Sequence, residues 1–334
     1  MKRSIFAGCL AVLFLALAPA LLLRPAADAS PAPAEAAAVQ ETAPAAAETT
    51  AAPSVDESRS VTVLVGGTPR KMSLSDYLTG VVAAEMPVTF ADAALEAQAV
   101  ASRTFTLRRQ EKPKHPNADV CDDSGCCQAF LGADELADKF GGGADAALKK
   151  VRAAVSATDG EVLAYRGALA ETSYFSCSGG RTESAAAVWG SDVPYLRSVD
   201  SPGEENCARY SDSVVVPLDA FRSAILKAAP SADLSGEPAG WFGGETETDG
   251  GGVASLEIGG AALTGTKLRS LFSLRSTLFT VSVVPEGVRF DTKGYGHRVG
   301  MSQYGAEAMA ENGADAAAIL SHYYPGTELT RAAA

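Results

Sequence analysis

The chain has 334 residues, of which 47% are hydrophobic and 20% charged, with a formal net charge of −12. That length supports a sizeable core or two subdomains. The acidic balance argues against nucleic acid, or an anionic membrane surface, as a partner held by general charge attraction; sugars and peptides stay open.

Lys2 and Arg3 precede an apolar run from Ile5 to Leu23. The run is close to the roughly 20 residues that span a bilayer and longer than a usual signal-peptide core. Residues 1–24 are therefore expected to be a transmembrane anchor with a cytoplasmic N-terminus, leaving the rest extracytoplasmic. Cleavage near Ala27 to Ala29 is the alternative. Cys9 lies inside the run and reads as a membrane residue. Residues 25–58, rich in Ala, Pro, Glu and Thr, bury too little to fold and are expected to be a disordered linker. Residues 59–330 form the expected folded domain.

Residues 61–67 read as a strand entering a glycine turn. Residues 73–86 read as a helix, with Ser73 and Asp76 as a capping pair and Pro87 disfavouring continuation. A second helix is expected over 91–109, then a polar, cysteine-bearing loop from Pro113 to Cys127. A third helix covers 144–158. "EVLAYRG" and "ALAETSYFS" read as paired strands leading into "CSGGRTES". Residues 203–252 are Gly- and Ser-rich with some helix, and "GGETETDGGG" reads as a loop. Strands are expected in "VASLEIGG", "LFTVSVV" and "GVRFDTKG", with a short helix at 265–272. Two helices, before and after Gly313, close the chain. The fold class is α+β, with mixed helices and antiparallel strands and a largely β middle segment forming a second lobe.

Glu85 stands out. Leu74, Tyr77, Leu78, Val81 and Val82 follow the stripe of a buried helix face, and Glu85 is the next position on it. Burial and the C-terminal end of the helix dipole both raise a carboxyl pKa. A glutamic acid that keeps its proton near neutrality can act as a general acid. The plain alternative is a helix-end glutamate that bends to solvent or sits in a structural ion pair. Arg103 lies on the inward stripe of the second helix (Ala93, Ala97, Val100, Leu107). It is a candidate to orient Glu85 or bind a substrate oxygen, against the plain alternative of an exposed helix arginine.

His115, Cys121 and Cys127 share one short loop, with Cys126 to spare. Histidine with thiolates suits tetrahedral zinc; a disulfide is the alternative in an extracytoplasmic compartment. Zinc on Cys121 and Cys127 would leave Cys177 and Cys207 free to pair. With no H-E-x-x-H, a metal here would staple the loop rather than activate water.

"YLTGVVAAEMP", "EAQAVASRTFTL", "CQAF", "YFSCSGGRTESAAAVWGSDVPYLRSVDSP", "LRSTLF" and "GYGHRVGMSQYGAEAMAENGADAAAILSHYYPGT" together resemble the stage II sporulation protein D family, from about Val61 to Leu329. That family comprises membrane-anchored lytic transglycosylases of spore formers and amidase enhancers. The resemblance implies a peptidoglycan substrate: the bond between N-acetylmuramic acid and N-acetylglucosamine in glycan stripped of stem peptides. It implies a catalytic glutamate at Glu85 and an arginine at Arg103, and a structural zinc on His115, Cys121 and Cys127. It also implies a septal membrane location during engulfment, with partners like the stage II sporulation proteins P, an amidase, and M, a membrane protein. One departure is clear: the family's "GHGVGMSQ" is "GHRVGMSQ" here. If the glycine serves a positive φ or a close approach to sugar, Arg298 perturbs the cleft rim and leaves His297 less secure.

Hydrolytic glycosidases use two carboxyl groups, and only Glu85 has an inward setting. That shortage suits lytic cleavage, in which the muramic acid 6-hydroxyl attacks its own C1 to give a 1,6-anhydro sugar. Asp76 or Asp92 would restore hydrolysis as a second carboxyl. Ser176, Ser178 and Arg181 of "SCSGGRT", and Ser302, Gln303 and Tyr304 of "GMSQYG", are candidate substrate-binding residues. Trp189 and Tyr195 are candidates to stack on sugar rings, though Trp189 also suits a core position. A serine–histidine pair through His297 is a further alternative.

Overall fold

The computed structural model describes residues 54–332; the expected anchor, and the linker as far as residue 53, lie outside the described residues. The last residues assigned to the linker are ordered. Val55–Ser58 form a helical turn, α1, capped by Ser54, which accepts from the Glu57 N–H. Antiparallel strands Ser60–Val65 and Thr68–Ser73 follow, and Val120–Cys121 adds a short parallel strand to the first of them.

Helix α2 (Leu74–Glu85) begins where Ser73 accepts from the Asp76 N–H, and it stops before Pro87, which disfavours a helical residue ahead of it. Its stripe of Leu74, Tyr77, Leu78, Val81 and Val82 is fully buried. Helix α3 (Asp92–Glu111) is buried on most sides. Helix α4 (Ala133–Phe140) went unread in the sequence because Leu136 is its one buried residue and glycines flank it. Helix α5 (Ala144–Ala157) packs on both α2 and α3. Helix α6 (Ala185–Trp189) starts at Ser184 and ends at Gly190, whose φ of +73° suits a residue without a Cβ.

A second lobe has its own core. It holds helices α7 (Leu218–Ala228) and α8 (Gly265–Leu271) and two three-stranded sheets. One sheet joins Leu278–Val284, Gly287–Lys293 and Ser211–Val216; the other joins Phe242–Glu247, Val253–Ile258 and Ala261–Thr264. Phe221 lies at its centre, with ring centroids 5.3 Å from Phe272 and 6.0 Å from Trp241. The "GGETETDGGG" stretch is therefore partly strand, held by cross-strand pairing despite a polar sequence. The chain then returns to the first lobe through α9 (Gln303–Glu311) and α10 (Ala316–Tyr323), both packed on α3. Residues Glu328–Arg331 add an unexpected strand beside Glu161–Tyr165.

One predicted pairing changes. Only Ala168–Leu169 pairs back on Glu161–Tyr165. Tyr174–Phe175 instead runs parallel to Met301–Ser302. This cross-link carries "SCSGG" and "GMSQYG", 126 positions apart from Ser176 to Ser302, to one place. Among the described residues no helix is long and apolar enough to cross a membrane.

Candidate functional site: one carboxyl in a cleft beside a thiol cluster

The end of α2 opens into a cleft of about 930 Å³ lined by residues of both lobes, among them Glu85, Gln128, Tyr174, Ser176, Gln303 and Tyr304. Glu85 is half-buried. Its Oε1 accepts from the Ala129 N–H at 2.8 Å and from the Tyr174 hydroxyl at 3.5 Å; its Oε2 accepts from Gln303 Nε2 at 3.4 Å. Burial pushes its pKa up, and it stays raised although those donors and the Lys139 cation act the other way. Gly80 makes this possible from within α2. A Cβ there would strike the Phe130 ring, so the glycine lets the 128–131 segment lie close and present the Ala129 N–H.

Tyr174 and Gln128 form the wall behind Glu85. The Tyr174 hydroxyl donates to Gln128 Oε1 at 2.9 Å, and Gln128 Nε2 donates to Tyr77 and Thr106. The Tyr174 hydroxyl and both Gln128 amide atoms are thus all hydrogen-bonded, which fixes the carboxyl against a rigid surface. Lys139, on α4, caps the end of α2 by donating from Nζ to the Ala83 and Ala84 carbonyls. The sequence offered no sign of it, since α4 itself was not read.

Arg103 is not a partner of Glu85. It is fully buried elsewhere, where it donates from Nε and Nη2 to both Asp56 oxygens and from its Nη groups to the Val155 and Glu161 carbonyls. The stripe placed it inward correctly, but a partner preceding the predicted domain was not anticipated. Three other expected contacts also fall outside the cleft. The Ser178 hydroxyl is buried on Glu204. Arg181 turns outward to Asp200 at 2.6 Å and to Ser198. Ser302 is buried and caps α9 by accepting from the Gly305 N–H. Glu204 escaped sequence reading, yet it accepts from the Ser178 and Gly179 N–H groups and from the Ser201 hydroxyl, so it holds the "SCSGG" turn in shape.

Asp76 and Asp92 are both exposed, at the first turns of α2 and α3, and Glu85 is the one carboxyl residue lining the cleft. His297 does line it, against Phe175 and Trp189. Its Nδ1 accepts from the Val299 N–H, and it also bonds the Tyr174 backbone. Burial, aided by the Arg269 charge, pushes it down to about 4. With its ring held by backbone, it does not serve a serine as base. Tyr195 is buried and accepts from the Glu171 N–H, so it packs rather than stacks on substrate. Trp189 is 42% exposed.

The cysteine loop brings four donors together. His115 Nε2 and the thiols of Cys121, Cys126 and Cys127 lie within 4.8 Å of one another, so Cys126 is a fourth donor and not a spare. His115 Nε2 is 3.5 Å from Cys127 Sγ and 3.7 Å from Cys126 Sγ. A tetrahedral zinc with ordinary Zn–S and Zn–N bonds spans about 3.6 Å between such donors. The donor set and its spacing fit that ion. Cys177 and Cys207 also meet as free thiols: their mutual hydrogen bond holds Cys207 below its ordinary value and pushes Cys177 up.

The chain matches the family model described as stage II sporulation protein over residues 67–165. It is 36% identical over 262 residues to stage II sporulation protein D of Bacillus subtilis (strain 168), covering 78% of this chain and 75% of that protein. The chain belongs to the stage II sporulation protein D family. Stage II sporulation protein D of Bacillus amyloliquefaciens is similar to the same extent, at 36%. A protein named amidase enhancer, from Bacillus subtilis (strain 168), is 29% identical over 307 residues, covering 76% of this chain but 40% of its own length.

Against the family's glycine, Arg298 does not disturb the cleft rim. Its backbone keeps a φ of +65°, the conformation a glycine would favour. Its side chain is fully buried beneath the rim. Nε donates to the Ser178 carbonyl at 2.7 Å, Nη1 to Glu183 at 3.1 Å, and Nη2 to the Arg181 and Gly250 carbonyls at 2.8 and 2.7 Å. The arginine thus bolts the "SCSGG" turn to the 248–252 loop of the second lobe. Arg298→Gly would relieve the left-handed backbone by about 1–2 kcal/mol but strand Glu183, a loss of about 3–5 kcal/mol. A net destabilisation of about 1–4 kcal/mol is expected in urea denaturation. A variant as stable as the native chain would show that the bolt carries no load.

Proposed function

We propose that this protein is a peptidoglycan lytic transglycosylase that cleaves between N-acetylmuramic acid and N-acetylglucosamine in peptide-stripped glycan, within sporulation-linked cell-wall remodelling. One observation carries the reading: a cleft of about 930 Å³ lined by a single carboxyl residue whose pKa is raised. Glu85 protonates the bridging oxygen as it leaves. The carboxylate so formed, steadied by Ala129, Tyr174 and Gln303, takes the proton of the muramic acid 6-hydroxyl as that oxygen closes on C1. Intramolecular attack needs no second carboxyl and gains from proximity. Ser176 and Tyr304 are within the cleft to meet sugar hydroxyls. The family supports the substrate class, and the relative named amidase enhancer supports a link to an amidase that strips the peptides first. A partner resembling stage II sporulation protein P fits that step. A membrane protein resembling stage II sporulation protein M, and anchoring through residues 1–24, fit the apolar N-terminus.

The test digests amidase-treated cell wall with the full chain and reads the ends by mass spectrometry. Release of 1,6-anhydro muramic acid ends is expected; hydrated reducing ends would make the protein a hydrolase. No ends, but a separate amidase that works faster on untreated wall in the presence of this chain than alone, would favour the second reading, a non-catalytic enhancer, which the amidase-enhancer relative motivates.

Zinc in the His115, Cys121, Cys126 and Cys127 cluster is part of this proposal. It would neutralise thiolates and fix the loop whose Ala129 N–H meets Glu85. Close to one zinc per chain is expected in protein purified under reducing conditions with zinc supplied, and chelation is expected to lower the melting temperature and slow glycan cleavage together. Metal-free protein with an unchanged melting curve would remove the zinc.

A further inference from the structure

The charge of the cleft opposes that of the chain. The protein carries −12 overall, yet the charged residues lining the cleft are Lys139, Arg209 and Arg269 against Glu85 alone. Two of these cations have no acidic partner among the described residues. Among the described residues no ion pair holds Arg209 or Arg269, whereas other arginines pair with aspartate or glutamate. Arg269 projects from α8 of the second lobe and is half-buried. Its Nε donates to the Leu274 carbonyl at 3.3 Å; its Nη groups make no protein hydrogen bond among the described residues. Arg209 lies over the Tyr295 ring, 5.1 Å from its centroid, and donates to the Tyr295 hydroxyl at 3.1 Å. Tyr295 also lines the cleft and feels the Arg269 charge. Arg209 thus rests on Tyr295, and Arg269 is near enough to the same residue to act on it through charge.

Arg209 is exposed, but Arg269 is half-buried, and a partly desolvated cation without a counter-charge is unfavourable unless a ligand supplies one; an arginine fork suits a carboxylate. A glycan ring offers hydroxyls and amides. Muramic acid adds a lactyl group, whose carboxylate is tied up as an amide while the stem peptide is attached and becomes a free anion once it is removed. We propose that Arg209 and Arg269 bind this lactyl carboxylate, so that the cleft itself selects peptide-free glycan. The assignment rests on the glycan reading above, and it replaces Arg181, which the fold turns away from the cleft.

The experiment measures binding of the full chain, in a Glu85→Gln background that blocks turnover, to three muramic acid–glucosamine oligosaccharides. One has free lactyl carboxylates, one has them converted to methylamides, and one keeps its stem peptides. The free acid is expected to bind at least about tenfold tighter than the methylamide at low salt, with the gap closing as salt rises. Arg209→Gln/Arg269→Gln should bring the two to within about twofold, chiefly by weakening the acid, while Arg269→Lys retains part of the preference because charge survives without the fork. Equal affinity for acid and methylamide in the parent, or equal losses on both in the double variant, would overturn the assignment. Peptide-bearing strands that bind as tightly as the free acid would place the carboxylate on the peptide and overturn it too. Selective binding of the acid by a protein that releases no anhydro ends would defeat the lytic activity and leave the two arginines standing.

Discussion

Glu85→Gln is expected to lower the release of 1,6-anhydro ends by about 10²–10⁴-fold, the usual worth of a general acid, while the chain stays folded. The two effects are separable because Gln keeps the shape and an acceptor for the Ala129 N–H. The pH dependence follows from the direction of the shift. Glu85 must hold its proton to act, so the native rate should fall on the alkaline side as pH rises through the raised pKa. Lys139 lies close enough to pull that pKa down, so Lys139→Met should move the alkaline limb to higher pH. Stability runs the same way. The folded pKa exceeds the ordinary carboxyl value of 4.5, so the stability tied to this proton is complete below about 4.5 and is lost as pH climbs through the folded value. The Gln variant lacks that loss. It should match the native chain in acid and equal or exceed it at pH 8 in urea denaturation. A Glu85→Gln enzyme that still forms anhydro ends at the native rate would end the mechanism.

The helical half of the first lobe was legible because its apolar stripes are long and periodic, and the same pattern found Glu85: a charge on the sixth position of a buried row is a local signal. The second lobe's central strands were legible from β-branched runs. What escaped has a common physical origin. Residues 242–247 are polar because the strand presents glycine and glutamate while its partner Val253–Ile258 supplies the buried side chains. Lys139 sits on a helix with one buried residue. Glu204, Arg209 and Arg269 reach their places through contacts with loops, which leave no period in the sequence. The "SCSGGRT" turn shows the limit most clearly. Its polar residues were read as substrate contacts, but Ser178 closes on Glu204 and Arg181 on Asp200, so the turn uses much of its polarity to hold its own shape.

Arg103 is expected to matter for stability, through a partner upstream of the predicted domain. The Arg103–Asp56 pair is buried on both sides and bidentate, with Nη2 2.6 Å from Asp56 Oδ2. Removing one member leaves an uncompensated charge, so Arg103→Met or Asp56→Asn should each cost about 3–5 kcal/mol, read from urea denaturation. Replacing both by apolar residues should recover much of that loss, because two desolvated charges disappear together. Arg103→Lys should fall between, since an ammonium cannot reproduce the fork that grips Asp56 and the Val155 and Glu161 carbonyls. The pair also ties α1 to α3, so a chain begun at residue 59 should be less stable than one begun at residue 54 by a similar amount, even though residue 59 looks like the natural boundary. A role on Glu85 would leave a different trace: Arg103 variants would shift the pH profile of glycan cleavage under conditions where they are fully folded, and Asp56 variants would not. Parallel behaviour of the two sets, in stability and in rate, is the outcome the geometry calls for.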